Sequence, residues 1–392
     1  MIGNEPRLGE QLELHAMNAI GRRLYELNFG RPQLVSKSVM DKLLAEAADA
    51  VTGHKFSLHF LRTEWEQVVD AWQLDTWEAY RDVTRLGRKT RLPEQKRQQL
   101  WSIFDQVRSQ LMRSNLVTYA DMFSRLATRL ADSKHPPFDF TVVDEAQDVN
   151  VSQLRFLAAL GAGPNSLFFA GDLGQRIFQQ PFSWKSLGVD IRGRSSGLRI
   201  NYRTSHQIRM KADKLLGPEL SDVDGNIEER CGTVSVFNGP EPVITVLDTP
   251  DKEIETVAQW IASRINEGLK PHEIGVFVRS AAELDRARAA VNKAGSPFKL
   301  LDDNVETTVG HISISTMHLA KGLEFRAVVV MACDDEIVPL QDRIETVADD
   351  ADLQEVYDTE RHLLYVACTR ARDQLLITSG GEPSGFLDDL RM

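Results

Sequence analysis

The chain has 392 residues, enough for two or three domains with cores of their own, and its 42% hydrophobic and 26% charged residues describe an ordinary globular composition. No apolar run approaches the roughly 18 residues needed to span a bilayer, and the first residues lack the basic and apolar regions of a signal peptide. The three scattered cysteines, Cys231, Cys333 and Cys368, are too few for a disulfide framework or a zinc site. These features predict a cytoplasmic protein in a reducing environment, with no membrane partner. The net charge of −11 argues at first against nucleic acid. Its distribution reverses that. Nine Arg or Lys stand against three acids between 81 and 113, and eight against two between 184 and 214, while ten acids face Arg343 alone in 334–358. Basic runs of this kind can follow a phosphate backbone, or can be solvated helix faces.

In chain order, Leu14, Met17, Ile20 and Leu24 sit at helical spacing and predict an amphipathic helix over 12–29. From about 38 to 133 nearly everything reads as basic helix, interrupted at Thr52-Gly53 and Leu92-Pro93. Trp65, Trp72, Trp77 and Trp101 fall there and suit a small helical core better than ligand stacking. After His135-Pro136-Pro137 the texture changes to short β runs: Thr141–Val143, Ser166–Ala170, Gly197–Ile200, Val243–Leu247, Ile274–Val278, His311–Ser315, Ala327–Met331 and Gln374–Thr378. Helical stretches such as 252–266 and 281–294 separate many of them, and that alternation implies parallel sheets.

The segment from Phe138 to Asp148 carries the sharpest chemical signal. An apolar run of the kind a buried parallel strand shows ends in Asp144-Glu145-Ala146-Gln147-Asp148, and ligands of open α/β sheets bind at such carboxyl ends. Adjacent acids there suit Asp144 to hold Mg²⁺ and Glu145 to orient and deprotonate an attacking water. The pair alone is a moderate signal, since acids after strands also cap helices. A second strand end, Phe168-Phe169-Ala170-Gly171-Asp172, leads to Gln175, which can sense a γ-phosphate. In Leu198-Arg199-Ile200-Asn201-Tyr202-Arg203, Arg203 can supply positive charge and Tyr202 a flat face for a base. Ile314-Ser315-Thr316-Met317-His318-Leu319-Ala320-Lys321-Gly322-Leu323-Glu324-Phe325 ends another strand with polar groups and a glycine. Glu360 to Arg372 places arginines along a helix-like segment.

These five segments, in this order and spacing, resemble motifs II to VI of UvrD/Rep-type superfamily 1 DNA helicases, and Leu14-His15-Ala16-Met17 resembles the Thr-x-His segment that precedes the helical 1B subdomain there. The likeness runs from about 12 to 378, with 31–115 matched only by position and helical character. It implies an α/β fold: two RecA-like parallel-sheet lobes, the first one incomplete, with a helical 1B insertion, in P-loop NTPase helicase architecture. The implied division is a remnant of lobe 1A over 1–30, subdomain 1B over 31–115, lobe 1A over 116–195 and lobe 2A over 196–392. ATP and Mg²⁺ are the implied cofactors. Single-stranded DNA, or a duplex with a 3′ tail, is the implied partner, with 3′→5′ translocation. Position by position, Asp144 resembles the Mg²⁺ ligand and Glu145 the general base, while Gln175 links phosphate state to the DNA site. Arg203 and Arg370 resemble the arginines that reach the γ-phosphate. Tyr202 resembles the adenine-stacking aromatic, and Gly322 and Glu324 belong to the nucleotide side of motif V, the acid near ribose or γ-phosphate. Phe178, Phe182 and Trp184 stand where the family stacks bases, and Thr316 and His318 where motif V contacts DNA.

Three departures qualify the resemblance. No Gly-x-x-x-x-Gly-Lys-Ser/Thr occurs in the sequence, so the backbone cradle for phosphates is not among these residues, and the chain reads as beginning inside the first lobe. Arg279 to His311 is too short to hold the family's 2B insertion. Motif III continues as Gln179-Gln180-Pro181-Phe182-Ser183-Trp184-Lys185 in place of the usual Arg-Gly-Ala ending. The sequence therefore supports an ATP-driven translocase with impaired hydrolysis, or a non-catalytic DNA-binding remnant. A metal-dependent nuclease is a weaker third reading, because the single acid cluster lacks His or Asp companions.

Overall fold

A computed structural model of the chain describes residues 9–83, 93–161, 163, 165–175, 182–217, 219–229, 232–302, 304–345 and 350–391. They group into two units: 9–83, 93–171 and 182–191 in the first, 172–175 and 192–391 in the second.

The first unit is mostly helical. Helix α1 spans Met17–Phe29, α2 Lys37–Asp49, α3 Leu58–Glu64, α4 Trp77–Asp82, α5 Glu94–Arg113 and α6 Tyr119–Ala131. The N-caps follow local chemistry: Ser36, Ser57, Thr76 and Thr118 each accept from the backbone N–H three residues on, satisfying one donor that the first turn leaves unpaired. Helices α2 to α5 enclose a core around Leu44, Trp65, Tyr80, Leu100 and Phe104, and Trp72, Trp77 and Trp101 pack partly buried against it. All four tryptophans of this stretch therefore serve the helical core. The segment is an excursion whose ends meet: Leu34 bridges Val117, with Val35 N donating to Val117 O at 3.0 Å and Val117 N to Gln33 O at 2.9 Å.

After the excursion come strand β1 (Thr141–Val143), helix α7 (Val151–Leu160) and strand β2 (Leu167–Phe169). The two strands pair in parallel, Val142 opposite Phe168, and one face rests on a core of Leu24, Met122, Phe123, Leu126 and Leu157 from α1, α6 and α7. Two expectations are corrected in this unit. Helix α1 starts at Met17, because Ala16 is extended and Leu14 is 99% exposed; only Ile20 and Leu24 of the apolar series are buried. Glu13 holds His15 and Arg23 at 2.7 and 2.9 Å, tying the segment before α1 to the helix. Strand β1 is not buried on both faces, since Val142 is 73% exposed beside the exposed Phe140 and Phe168. The reason is that the sheet has two strands among the described residues, with a helical layer on one side only.

The second unit is built on a six-stranded, wholly parallel sheet whose strands lie in the order Val243–Val246, Ala371–Ser379, Phe325–Val330, Ile274–Val278, Ile312–Thr316 and Phe298–Leu300. Ahead of it lie β3 (Ile200–Asn201), helix α8 (His206–Ala212), the hairpin β4 (Glu219–Ser221) and β5 (Ile227–Glu229), and β6 (Val234–Ser235), which pairs with β3. The strand expected at Gly197–Ile200 is thus shifted and short. The sheet itself comprises β7 (Val243–Val246), β8 (Ile274–Val278), β9 (Phe298–Leu300), β10 (Ile312–Thr316), β11 (Phe325–Val330) and β12 (Ala371–Ser379). Helices α9 (Pro250–Asn266) and α10 (Leu284–Lys293) cover one face. Helix α11 (Gln341–Glu345) leads to α12 (Asp350–Cys368), which with α8 and α13 (Phe386–Arg391) covers the other. Strand β11 shows why the sheet is sealed: Ala327 and Val329 point into the α9–α10 core, Val328 and Val330 into the α12 core. No helix of the described residues is long and apolar enough to cross a membrane.

Gly275 in β8 lets the Phe325 ring close over the strand, since a Cβ there would lie 2.7 Å from the ring edge. Gly275→Ala should therefore lower unfolding stability by about 1–3 kcal/mol, and a Phe325→Leu background should recover part of it. Urea titration of the four chains checks both.

Candidate functional site

Asp144 and Glu145 sit at the carboxyl end of β1, as the spacing predicted, and both are exposed. The chain turns sharply there. Ala146 N donates to Ala170 O at 2.8 Å, locking the turn to the end of β2. Glu145 takes a left-handed conformation, φ 53°, which a non-glycine residue adopts at a cost of about 1 kcal/mol or more. Asp144 Oδ1 accepts from Glu145 N at 2.9 Å, and Glu145 Oε2 accepts from Gln147 Nε2 at 2.5 Å. Gly171 packs closely beside them: a Cβ there would lie 2.4 Å from Gln147 Oε1 and 3.3 Å from Ala146 N, so the Gln147 side chain would have to move.

A second constellation assembles in the other unit from four segments far apart in sequence. Its centre is the carbonyl of Leu323, which accepts from Arg203 Nη2 at 2.8 Å and, more distantly, from Arg370 Nη1 at 3.5 Å. Arg370 is only 2% exposed; its Nη2 donates to Gln175 Oε1 at 3.1 Å and its Nε to Val366 O at 3.0 Å. Lys321 Nζ donates to Gln175 O at 3.1 Å, and Gln175 Nε2 donates to Asp172 Oδ2 at 2.8 Å. Glu324 approaches Arg203 Nε at 2.6 Å. Gly322 takes φ 79°, a conformation that suits glycine and turns the loop back toward β11. Tyr202, next to Arg203, presents a ring that is 70% exposed. The structure thus brings Gln175, Arg203, Glu324 and Arg370 together. Lys321 and the Leu323 carbonyl join them without having been singled out. A lysine before glycine at a strand end is a usable signal for the first; a backbone carbonyl has none.

Thr316 and His318 lie at the end of β10. Thr316 borders a shallow cleft of about 530 Å³ with Leu284, Leu301, Asp302, Asn304 and Leu319. His318 lies near a buried ion network that sequence reading missed. The Glu360 carboxylate, fully buried on α12, accepts from Arg279 Nε and Nη2 at 2.5 Å each and from Arg343 Nη1 at 2.9 Å. Glu360 among the apolar residues of α12, and Arg279 directly after the wholly buried β8, are the sequence traces of this pair. Burial would raise the Glu360 pKa, but the two guanidiniums outweigh it and hold the carboxyl below its usual range. Burial, with Arg279 and Arg343 nearby and Glu360 opposing, pushes His318 down to about 4.

The aromatic positions divide differently. Phe178 lies outside the described residues. Phe182 and Trp184 pack partly buried against the core of the first unit, Trp184 edge-on to Phe169 with ring centroids 4.8 Å apart. Their observed contacts are protein ones. Several cations of the basic runs are also held internally: Arg81 pairs with Asp82, Arg97 donates to Arg81 O, Arg108 to Leu74 O, and Arg209 pairs with Asp213.

Comparison with known families gives two matches. Residues 79–182 match the UvrD/REP helicase N-terminal domain, and 299–381 the UvrD-like helicase C-terminal domain. A probable DNA helicase of Mycoplasma pneumoniae is 23% identical over 304 residues, covering 71% of this chain and 53% of that protein. The putative ATP-dependent DNA helicase YjcD of Bacillus subtilis is 21% identical over 270 residues, 66% of this chain and 32% of its own length. A stretch of 76 residues, 19% of this chain and 10% of the relative, is 41% identical to the ATP-dependent DNA helicase PcrA of Staphylococcus aureus. The chain thus spans about half the length of the Mycoplasma relative and less of the others.

Two titrating groups give the units opposite pH responses. His318, depressed from 6.5 to about 4, stabilises the fold above pH 6.5, and that stability is lost as pH falls toward 4. Asp70, in the helical excursion, is raised from 3.8 to about 7; burial, reinforced by the nearby charge of Asp121, outweighs the hydrogen bonds from Thr118 and Gln73 and the charge of Arg108. Its contribution is present below pH 3.8 and lost as pH rises through 7. From pH 8 to 5, hydrogen-exchange protection corrected for intrinsic rates should rise in 35–117 and fall around β10, each by on the order of 2 kcal/mol. Asp70→Asn and His318→Gln should each abolish one of the two trends.

Proposed function

Because the chain belongs to the UvrD/Rep-type helicase family, we propose that its residues form the water-activating, phosphate-sensing and strand-binding parts of an ATP-driven single-stranded DNA translocase, with 3′→5′ polarity and a single strand or 3′-tailed duplex as track. The observation that carries the reading is the gathering of Gln175, Arg203, Lys321 and Arg370 about the Leu323 carbonyl. Cations from separate segments that meet at one point suit a polyphosphate whose charge builds during transfer.

In this reading Glu145 takes a proton from the attacking water, and its left-handed turn presents the carboxylate at the strand end. Asp144 would hold Mg²⁺. The fit rests on the donor itself: Asp144 is an exposed carboxylate at the carboxyl end of β1, a hard oxygen ligand of the kind this ion takes. Mg²⁺ commonly takes one or two carboxylates and completes its shell with phosphate oxygens and water. When bound, the ion supplies positive charge to the phosphates. Arg203 and Arg370 stabilise the terminal phosphate, Gln175 relays its presence, and Tyr202 stacks on the base. Thr316 and His318, with Phe178, Phe182 and Trp184, contact the strand. The division that accompanies this reading is a first lobe at 1–30 and 116–195, a helical subdomain at 31–115 and a second lobe at 196–392. A phosphate cradle of the Gly-x-x-x-x-Gly-Lys-Ser/Thr type is not among these 392 residues. That favours, as the second reading, a module that binds DNA without turnover.

The ATPase rate of the chain with and without a single-stranded oligonucleotide separates the two. The translocase reading expects DNA-stimulated hydrolysis that Glu145→Gln lowers by about 10²–10⁴-fold with DNA affinity retained. Salt-sensitive DNA binding, with no turnover and no response to ATP·Mg²⁺, would establish the non-catalytic reading instead.

A further inference from the structure

The arginine cluster carries one contact that a simple phosphate receptor does not need. Arg203 is not waiting in open solvent: Nη2 is bound to Leu323 O at 2.8 Å, and Glu324 Oε1 stands 2.6 Å from Nε. That second approach is an ion pair without an aligned hydrogen bond, for Arg203 Nε is shielded from solvent and has no hydrogen-bond acceptor among the described residues. A shielded guanidinium N–H without an acceptor is costly, and an anion of better shape relieves it. Glu324 is easily moved. Its side chain is 64% exposed, it stands on the loop between Gly322 and β11, and Arg203 is its only ion-pair partner among the described residues. Asp172, the neighbouring carboxylate, is committed to Gly174 N and Gln175 Nε2, both at 2.8 Å.

We infer that Glu324 is a placeholder anion: it neutralises Arg203 while the site holds no nucleotide, and the terminal phosphate of an incoming polyphosphate displaces it. The inference rests on the polyphosphate reading of the cluster and gives this acid, which the family resemblance puts near ribose or γ-phosphate, an exchange role on the phosphate side. The chemistry favours exchange. A phosphate carries more charge than a carboxylate and offers oxygens that match the guanidinium fork, so it can satisfy Nε and Nη2 together. Lys321 and Arg370, both hydrogen-bonded to Gln175, add positive charge to the same cluster, which favours a polyanion over a single carboxylate.

Inorganic tripolyphosphate and ATP test the idea because only one of them has a sugar. Binding of each to the full chain is followed by ³¹P NMR titration at low salt, in wild type and Glu324→Gln, with thermal melting as the check on folding. If Glu324 is a placeholder, the variant binds both ligands about two- to fivefold more tightly, the weight of one partly exposed ion pair. The gain shrinks at high salt and disappears in the Arg203→Gln background. Weaker ATP binding with tripolyphosphate unchanged would assign Glu324 to the sugar and overturn the inference, as would equal affinities in variant and wild type. If wild type and variant bind neither ligand, the polyphosphate reading itself falls and takes the inference with it.

Discussion

The backbone hydrogen bond from Phe325 N to Arg370 O, 3.0 Å long, sets much of what the second unit can do. It begins the β11–β12 ladder, in which Phe325 stands opposite Ala371, and so fixes the residues just before each strand side by side. Those residues are Leu323 and Glu324 on one side and Thr369 and Arg370 on the other. A register shift separates this pair from the rest of the ladder, where Ala327 stands opposite Gln374, so the arginine's position follows from the first pair and its hydrogen bond. The loop carbonyl needs no side-chain chemistry of its own, because the ladder delivers it.

What the sequence disclosed follows the same logic. Ile274–Val278 was legible residue for residue, because a strand buried on both faces leaves an uninterrupted apolar run between polar boundaries. The polar positions at strand ends were legible because such residues crowd there abruptly. Helix α1 was misjudged at its start, since Leu14 has helical spacing but no surface to pack against. Strand β1 was misjudged in its surroundings: its pattern describes a covered sheet, and nothing in a pattern says whether the covering layer is at hand. Trp184 illustrates a different limit. An aromatic beside a basic run reads as a stacking platform, and no sequence pattern announces the edge-on contact that Trp184 makes with the Phe169 ring.

Charge is handled in the second unit by enclosing it. Besides the Arg279–Glu360–Arg343 network, Glu253 of α9 is fully buried and paired with Arg286 of α10. It also accepts from Ala332 N at 2.9 Å and Thr378 Oγ1 at 2.5 Å. Arg286 in turn donates to Asp334 at 2.7 Å, and Asp334 accepts from Ser379 Oγ and Gly380 N at 2.7 and 2.6 Å. Such networks add little net stability compared with apolar packing, but removing one partner leaves a stranded charge. Their effect is geometric. They tie the carboxyl ends of β8, β11 and β12 to the helices on both faces, at the edge where β10 ends in Thr316 and His318 follows, whereas Leu323, Glu324 and Arg370 precede β11 and β12 and lie at the other.

The meeting of Leu34 and Val117 has a consequence for how this chain can change over time. A detour that leaves and re-enters at neighbouring points imposes almost no condition on its own length or shape, because closing a longer or shorter loop alters the cost only logarithmically. The helices between them can grow, shrink or be exchanged while α1, α6 and the β1–β2 pair keep their places. Asp70, which accepts from Thr118 Oγ1 at 2.8 Å, is a polar thread stitching the detour to its exit. The architecture thus separates a part free to diversify from a part held by register.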